Sequence, residues 1–190
     1  MAFRLGLVGL GMAVTPHAKS LLDLKKRVEV AYAFSPSPER RAKFASQFAF
    51  PQTDRLETML DDRALDAVLI LTPPNTHLEL VEKFAAAKKH ILLEKPLEIS
   101  TARAERMVAA CRKNGVKLGI VLQHRFRPAA EKLRGLMPQL GKIVSASASI
   151  PNWRPQSYYD QPGRGTRARR RRRAAHAGHP YARSARLFRR

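Results

Sequence analysis

The chain has a single cysteine, Cys111, among its 190 residues. One thiol cannot form a disulfide within the chain, so the sequence excludes a disulfide-stapled secreted domain and indicates a reducing compartment. Cys111 falls in a helical pattern, where a lone cysteine is typical of a small buried apolar residue. Apolar runs are also short: none reaches membrane-spanning length, and residues 3–8 are too few for a signal-peptide core. We therefore predict a cytoplasmic protein with no membrane partner and no metal site.

Acidic residues are absent from the last part of the chain. Residues 167–190 contain ten arginines and no acid, whereas the whole chain has 36 basic and 15 acidic residues and a net charge of +21. Nearly half of the charge excess thus belongs to this short segment, which has neither interleaved aromatic residues nor a helical stripe of charge. We predict a disordered Arg-rich tail over 167–190 with no specific nucleic-acid partner. Polyanion or nucleic-acid binding through the tail is kept as a less favoured alternative function.

The third glycine of a G-x-G-x-x-G turn is also missing, because Val14 stands in its place. The first two glycines are present: the apolar run from Phe3 to Val8 leads into Gly9 and Gly11, and a helical pattern follows. Gly9 permits a tight turn, and Gly11 leaves room for a phosphate at the helix N-terminus. This pattern is typical of the first βαβ unit of a dinucleotide-binding domain.

Strand and helix patterns alternate through the first 122 residues. After the first strand, further strands are predicted over 28–34, 66–71, 91–93 and 117–122. These strands lack polar alternation, which favours a parallel sheet covered on both faces. We therefore predict that residues 1–122 form a doubly wound α/β domain of the Rossmann type, with ligands beyond the carboxyl ends of its strands.

Capping residues locate two of the helices. Thr15 is predicted to cap the first helix, with a proline directly after it. Ser100 or Thr101 is predicted to cap a later helix that runs to Asn114, and Gly115 closes it.

The end of the second strand bears on the choice of cofactor. Many NAD-binding domains place an acid here to bind the ribose 2′-hydroxyl, but this chain has Ser35, with Arg40 and Arg41 close behind. A hydroxyl and guanidinium groups suit a 2′-phosphate better than a bare ribose. The sequence therefore favours NADP over NAD.

Three motifs that follow three of the strands carry a family resemblance. They are Gly9-Leu10-Gly11-Met12, Thr72-Pro73-Pro74-Asn75 with His77, and Glu94-Lys95-Pro96. In these motifs the chain resembles the glucose-fructose oxidoreductase, inositol dehydrogenase and MocA (Gfo/Idh/MocA) family. The resemblance continues through Gln123-His124-Arg125-Phe126 and the segment from Trp153 to Asp160, and it covers residues 1–166.

The resemblance implies an NAD(P)-dependent oxidoreductase that transfers hydride between nicotinamide and a sugar, a cyclitol or a similar polyol. It implies that Lys95 is catalytic and reaches both the nicotinamide ribose and the substrate oxygen. A cation beside that oxygen stabilises the alkoxide that develops during hydride transfer. The candidate cofactor-binding residues are Gly9, Gly11, Met12, Ser35, Arg40, Thr72, Pro73, Asn75, His77, Glu94, Lys95, Pro96, Arg125, Trp153 and Arg154.

Some of these residues have a second interpretation. His77 could lie in the first turn of its helix without touching a cofactor, and Trp153 could pack at a domain junction instead of beside the nicotinamide. A dinucleotide-binding protein without catalysis is also left open as an alternative function.

Residues 123–166 are predicted to begin an incomplete α/β substrate domain. A helix from about Pro128 to Met137 is followed by a one-faced strand from Lys142 to Ile150. With the rest of the family's second domain absent, we expect little cover for this strand and impaired catalysis. Family members are usually homo-oligomers, and the resemblance implies that their interface is missing here.

The family resemblance stops at Thr166. The family would continue Ala-Arg-Asp-Gly-Gly-Gly-Val-Leu and then typically Pro-Thr-Gln-Ala-Ile-His-Thr-Leu-Asp, whose histidine is an expected acid/base. GC-rich codons for that run, read one base earlier, translate as the fifteen residues 169–183 of this chain. We hypothesise that the chain leaves the family's reading frame near Thr166. The arginine run is then a by-product of glycine codons, and His179 is not the catalytic histidine.

Overall fold

A computed structural model of the chain describes residues 2–149, 151, 153–160 and 184–187. The chain divides into two units, the first ending at Gln123 and the second beginning at His124. The first unit contains β1 (Phe3–Val8), α1 (Val14–Asp23), β2 (Val28–Phe34), α2 (Pro38–Ala45), β3 (Gln52–Thr53), α3 (Leu56–Asp61), β4 (Ala67–Ile70), α4 (His77–Ala86), β5 (His90–Leu93), α5 (Thr101–Asn114) and β6 (Leu118–Ile120).

The six strands of the first unit form one parallel sheet in the order β3-β2-β1-β4-β5-β6. This order confirms the doubly wound α/β fold predicted for the first 122 residues. The chain moves outward from β1 to β3 on one side and from β4 to β6 on the other. A crevice for ligands is expected where the order reverses, beyond the carboxyl ends of β1 and β4.

Both faces of the sheet are buried, as the absence of polar alternation predicted. Side chains along β1 and β4 alternate between two cores: Leu7 and Leu69 face one, and Val8 and Ile70 face the other. The first core is covered by α1 and α2, whose buried residues include Val14, Ala18, Leu21 and Phe44. The second is covered by α3, α4 and α5 through Met59, Leu78, Val81, Phe84, Met107 and Cys111. Cys111 is 3% exposed, which confirms its predicted role as a buried apolar residue.

The predicted cap of α5 is confirmed, and that of α1 is wrong. The Ser100 hydroxyl accepts the Arg103 N–H at 3.4 Å, and Gly115 closes α5 in the left-handed conformation at φ 68°. The first helix begins at Val14, one residue before the predicted cap at Thr15. The reason is local, because the Val14 N–H already donates to the carbonyl of Gly11 at 3.2 Å and starts the first turn.

Two short elements have no counterpart among the predictions. Strand β3 has two residues and α3 has six, so neither is long enough to produce a periodic pattern. Met59 anchors α3, and its side chain is fully buried. Within the described ranges, no helix is both long and apolar enough to cross a membrane.

The second unit contains α6 (Pro128–Leu136), β7 (Ala146–Ser149), α7 (Gln156–Asp160) and β8 (Ser184–Leu187). The strand predicted from Lys142 to Ile150 is shorter in the structure, where residues 142–145 are not part of it. Its ladder extends only as far as its partner, because β7 pairs antiparallel with the four residues of β8. Residue 150 lies outside the described residues.

The Arg-rich tail predicted over 167–190 lies outside the described residues except for β8. Ser184–Leu187 form β8, which pairs antiparallel with β7. Several apolar side chains elsewhere in the second unit are exposed. Examples are Val144, 82% exposed, and Leu133, 58% exposed.

Candidate functional site

The three motifs meet at one edge of the sheet because the strands before them are parallel neighbours. The Leu71 N–H donates to the Val8 carbonyl at 2.8 Å, and the Glu94 N–H donates to the Ile70 carbonyl at 2.9 Å. The loops after β1, β4 and β5 therefore leave the sheet side by side. The motif residues start within one or two positions of these strand ends, so they share the predicted crevice.

The turn after β1 leaves open space at the N-terminus of α1. Gly9 adopts φ +101°, and its N–H donates to the Phe34 carbonyl at 3.0 Å. A β-carbon on Gly11 would meet no atom within 4 Å, so the space beside this residue is open. No side chain caps the N-terminus of α1 at Ala13, which leaves the first-turn N–H groups for an anion. Met12 is 68% exposed beside this turn.

Ser35 is buried at the end of β2. Its hydroxyl accepts the Ser37 N–H at 3.3 Å. The Arg41 guanidinium donates to the Ser35 carbonyl at 2.6 Å and lies 3.5 Å from Asp54. Ser35 and Arg41 are thus hydrogen-bonded within this segment. The cofactor contact of the Ser35 hydroxyl stays a prediction.

Arg40 occupies a different position in the same turn. Its backbone N–H donates to the Ser37 hydroxyl at 3.2 Å, which caps α2. Its side chain is exposed, and the structure shows no ion pair for its guanidinium among the described residues. Arg40 is therefore the arginine of this turn whose charge is available to a ligand.

The turn after β4 is stabilised by its own hydroxyl groups. The Thr76 hydroxyl lies 2.7 Å from the Thr72 hydroxyl and 2.8 Å from the Pro73 carbonyl. Pro73 and Asn75 are exposed at its surface. The carbonyl of Asn75 accepts a hydrogen bond from the Arg103 guanidinium at 3.2 Å. These hydrogen bonds hold the turn internally and link it to α5.

His77 is fully enclosed, with 0% of its surface exposed. Its Nδ1 lies 3.0 Å from the Leu97 carbonyl, and its Nε2 lies 2.9 Å from the Thr72 carbonyl. Both ring nitrogens are therefore engaged by backbone oxygens. This geometry fits a structural role that ties the loop after β4 to the loop after β5, and the cofactor contact of His77 stays a prediction. The pattern could not distinguish the two, because both need a histidine in the first turn of α4.

Glu94 and Lys95 have opposite surroundings. Glu94 is largely buried: one carboxylate oxygen lies 3.1 Å from the His17 Nε2, and the other accepts the Lys95 N–H at 2.6 Å. The Lys95 side chain is exposed, and no hydrogen bond or ion pair engages its ammonium within the part of the chain that the structure describes. The backbone of Lys95 is thus fixed while its amine is available. The Lys95–Pro96 peptide bond is cis.

His17 belongs to the site, although the sequence did not single it out. It lies in the first turns of α1, directly after the glycine turn, and its side chain is 18% exposed. A polar residue on the first turn after a glycine turn was the available indication, but such residues are common on solvated helix faces. The partner that gives His17 its role is distant in the chain and was invisible to local patterns.

An ion pair holds the far end of the loop after β5. The Glu98 carboxylate is fully enclosed and lies 3.2 Å from the Arg103 Nε, although the N–H is not aligned for a good hydrogen bond. Burial raises the pKa of Glu98, but the Ile99 N–H and the Arg103 charge lower it more, so the pKa lies below its ordinary value. Arg103 also pairs with Glu79 at 3.2 Å. The loop is therefore anchored to α4 and α5.

The remaining candidates lie in the second unit. Trp153 is 68% exposed. The Arg154 guanidinium lies 5.0 Å from the ring centroid of Tyr158, a cation–π distance. The carbonyl of Arg125 accepts a hydrogen bond from Arg134 at 2.7 Å. The cofactor contacts of Arg125, Trp153 and Arg154 stay predictions.

A parallel sheet in this order, with a glycine turn after β1 and polar loops at the same edge, defines a dinucleotide-binding domain of the Rossmann class. The chain belongs to the Gfo/Idh/MocA oxidoreductase family, as its motifs indicated. The sequence profile of that family, described as an oxidoreductase family with an NAD-binding Rossmann fold, matches residues 3–121.

Curated relatives and solved structures agree with this assignment. The chain is 35% identical over 136 residues to a myo-inositol 2-dehydrogenase of Thermotoga maritima, and the match covers 69% of this chain and 39% of the relative. It is 31% identical over 141 residues to an NADP(+) D-xylose 1-dehydrogenase of Haloarcula marismortui, covering 72% and 39%. The WlbA dehydrogenase of Bordetella pertussis, solved with NADH and UDP-GlcNAcA, superposes with a TM-score of 0.76 at 28% identity, covering 84% and 50%. The chain thus spans 39% of the length of each curated relative and half of that solved chain.

Proposed function

We propose that the first unit binds an NAD(P) dinucleotide at the carboxyl edge of its sheet and presents Lys95 to the nicotinamide end. The observation that carries the proposal is the unengaged, exposed Lys95 ammonium on a loop whose backbone is tied to α1 through Glu94 and His17. A cation at this edge of the sheet would stabilise the negative charge that develops on the substrate oxygen during hydride transfer. The open space at Gly11 fits the diphosphate.

When bound, the nicotinamide would supply the hydride chemistry. Within this chain, the Lys95 ammonium would stabilise negative charge on the reacting oxygen of the substrate and exchange a proton with it. Both oxygens of Glu94 are engaged, one by His17 and the other by the backbone N–H of Lys95. Glu94 therefore supports the loop, and Lys95 is the group that meets the substrate.

The substrate class of the whole enzyme is a sugar, a cyclitol or a similar polyol. The relatives named above are dehydrogenases of an inositol and of a pentose sugar. The match covers 39% of the length of each of these two relatives. We therefore propose that this chain binds the dinucleotide and turns over polyols very weakly or not at all.

NADP is the proposed cofactor in preference to NAD. Arg40 supports this proposal, because its exposed guanidinium stands just beyond β2, where a 2′-phosphate would need a cation. Contact of the Ser35 hydroxyl with this phosphate is part of the same proposal.

The proposal is tested by titrating the full chain with NADPH and with NADH and monitoring binding by nicotinamide fluorescence. We expect saturable binding of the dinucleotide. We expect Lys95→Met to weaken NADPH binding by about tenfold, which is the loss of affinity expected when one hydrogen bond to a charged group is removed. The same variant should bind 2′,5′-ADP unchanged, because this ligand lacks the nicotinamide half. Lys26→Met, at an exposed lysine after α1, serves as the matched control. Absence of saturable binding of either dinucleotide would overturn the proposal.

A further inference from the structure

We propose that His17 is a positioning residue for Lys95, acting through Glu94; the inference rests on the proposed dinucleotide function. His17 Nε2 and Glu94 Oε1 are 3.1 Å apart, and their side chains are only 18% and 16% exposed. The two residues come from elements far apart in the chain, α1 and the loop after β5. A partly buried pair of this kind holds its geometry better than a pair on the open surface.

The Glu94 carboxylate joins this pair to the backbone of Lys95. Its second oxygen accepts the Lys95 N–H at 2.6 Å, so one side chain is hydrogen-bonded both to α1 and to the residue that carries the reacting amine. The carboxylate orientation is set by His17, and that orientation fixes the peptide plane at Lys95. The direction in which the Lys95 side chain leaves the loop is consequently set from α1.

The other side-chain contacts that hold this loop lie further along the chain. His77 holds the Leu97 carbonyl at 3.0 Å, and Arg103 holds Glu98 at 3.2 Å. Neither of these two contacts involves a residue of α1. Among the described residues, the side-chain link between this loop and α1 is the one that His17 makes.

The link connects the two ends of the proposed dinucleotide site. Helix α1 starts at the glycine turn that would receive the diphosphate, and Lys95 would meet the nicotinamide. His17 lies between them, one turn into α1. Removing it should leave the phosphate end intact and loosen the redox end, which is a pattern that a general loss of stability does not produce.

Amide exchange in the ligand-free full chain tests the link directly. His17→Leu removes the donor to Glu94 while keeping an apolar side chain of similar size. We expect the Lys95 amide to exchange about five- to tenfold faster in this variant, as measured by NMR at residue resolution, because its hydrogen bond to Glu94 is no longer held. His17→Gln retains an N–H donor and should restore most of the protection. Lys19→Leu, on the exposed side of the same helix, should leave the exchange unchanged.

An unchanged Lys95 exchange rate in His17→Leu overturns the inference. An exchange rate that rises equally along all of α1 and β5 also overturns it, since that pattern means a general loss of stability. A failure of His17→Gln to restore protection overturns it as well.

A second arm separates this inference from the proposed function. His17→Leu should weaken NADPH binding about fivefold and leave 2′,5′-ADP binding unchanged. If the unmodified chain binds no dinucleotide, the proposed function fails, and the exchange experiment still decides whether His17 fixes the backbone of Lys95. If the unmodified chain binds NADPH and His17→Leu binds it equally well, the positioning role fails while the proposed function stands.

Discussion

Thr72 lies directly against Gly9. A β-carbon placed on Gly9 would lie 2.8 Å from the Thr72 Cγ2 and 3.1 Å from its backbone nitrogen. The glycine turn after β1 and the turn after β4 are therefore in van der Waals contact, and the first residue of one motif leaves no room for a side chain beside the other. The positive φ of +101° at Gly9 adds a conformational requirement to this steric one.

Gly9→Ala should lower the free energy of unfolding by about 1–3 kcal/mol. The expected loss combines the strain of an alanine at positive φ with the contact against the backbone of Thr72. Urea denaturation followed by circular dichroism measures it. A loss below about 0.5 kcal/mol would show that the two turns can move apart at little cost.

Gly11→Ala should leave stability nearly unchanged and weaken dinucleotide binding. A β-carbon at Gly11 meets no protein atom within 4 Å, so the free energy of unfolding should change by less than about 0.5 kcal/mol. Dinucleotide affinity should fall by about tenfold or more, since the methyl group enters the space proposed for the diphosphate. Isothermal titration with NADPH measures this change, and unaltered affinity would place the diphosphate elsewhere.

Glu98→Gln should reduce stability at neutral pH by about 1–3 kcal/mol, because it removes the charge that pairs with Arg103. The pKa of Glu98 is held below its ordinary value of 4.5 by the Ile99 N–H and Arg103 against the opposing effect of burial. A group whose pKa is depressed in the folded state stabilises the protein at pH values above its ordinary pKa. This contribution is lost as the pH falls through the folded-state pKa. The difference between variant and parent should therefore shrink below about pH 4.5.

Urea denaturation at a series of pH values checks the prediction for Glu98. Glu105→Gln, at an exposed position of α5, provides the control and should show no such convergence. A gap between Glu98→Gln and its parent that is constant from neutral to acid pH would contradict the assignment.

Cys111 should report on opening of the first unit. It is the single cysteine of the chain and is 3% exposed, and burial raises the pKa of its thiol. Labelling by Ellman's reagent at neutral pH should be at least about a hundredfold slower than in denaturant, where one equivalent reacts. The Gly9→Ala variant should react faster, in proportion to its loss of stability. Fast labelling of the unmodified protein would mean that α5 leaves the sheet readily.

Arg40→Ala tests the preference for NADP. We expect NADPH affinity to fall about five- to tenfold and NADH affinity to stay the same, because only NADPH has a 2′-phosphate for the guanidinium. Lys43→Ala, on the same helix, is the matched control. Tighter binding of NADH than of NADPH by the unmodified chain would reverse the preference.

The hypothesis of a changed reading frame is tested by the nucleotide sequence of the gene. The alternate frame beyond codon 166 should encode the missing part of the family's second domain, including its histidine. A gene without such a frame would refute the hypothesis, and the arginine run would then need an explanation of its own.

The fold of the first unit could be predicted because its determinants are local. Continuous apolar strands, the glycines after β1 and the caps around α5 are each readable over a few residues. The sequence located Lys95 through its motif. It could not locate His17, whose role depends on Glu94, and it could not decide that His77 is buried between two carbonyls. Contacts between residues distant in the chain determine these roles, and such contacts leave no periodic pattern.

The central place of β1 in the sheet determines the order in which the domain can be completed during synthesis. On one edge β1 meets β2 soon after it is made, but its other edge has no partner until Ala67 to Ile70 have left the ribosome. The glycine turn lies at the tip of this strand, so it acquires its final neighbours only when β4 arrives. A nascent chain halted before β4 would therefore hold the phosphate-accepting turn without the surface that shapes it.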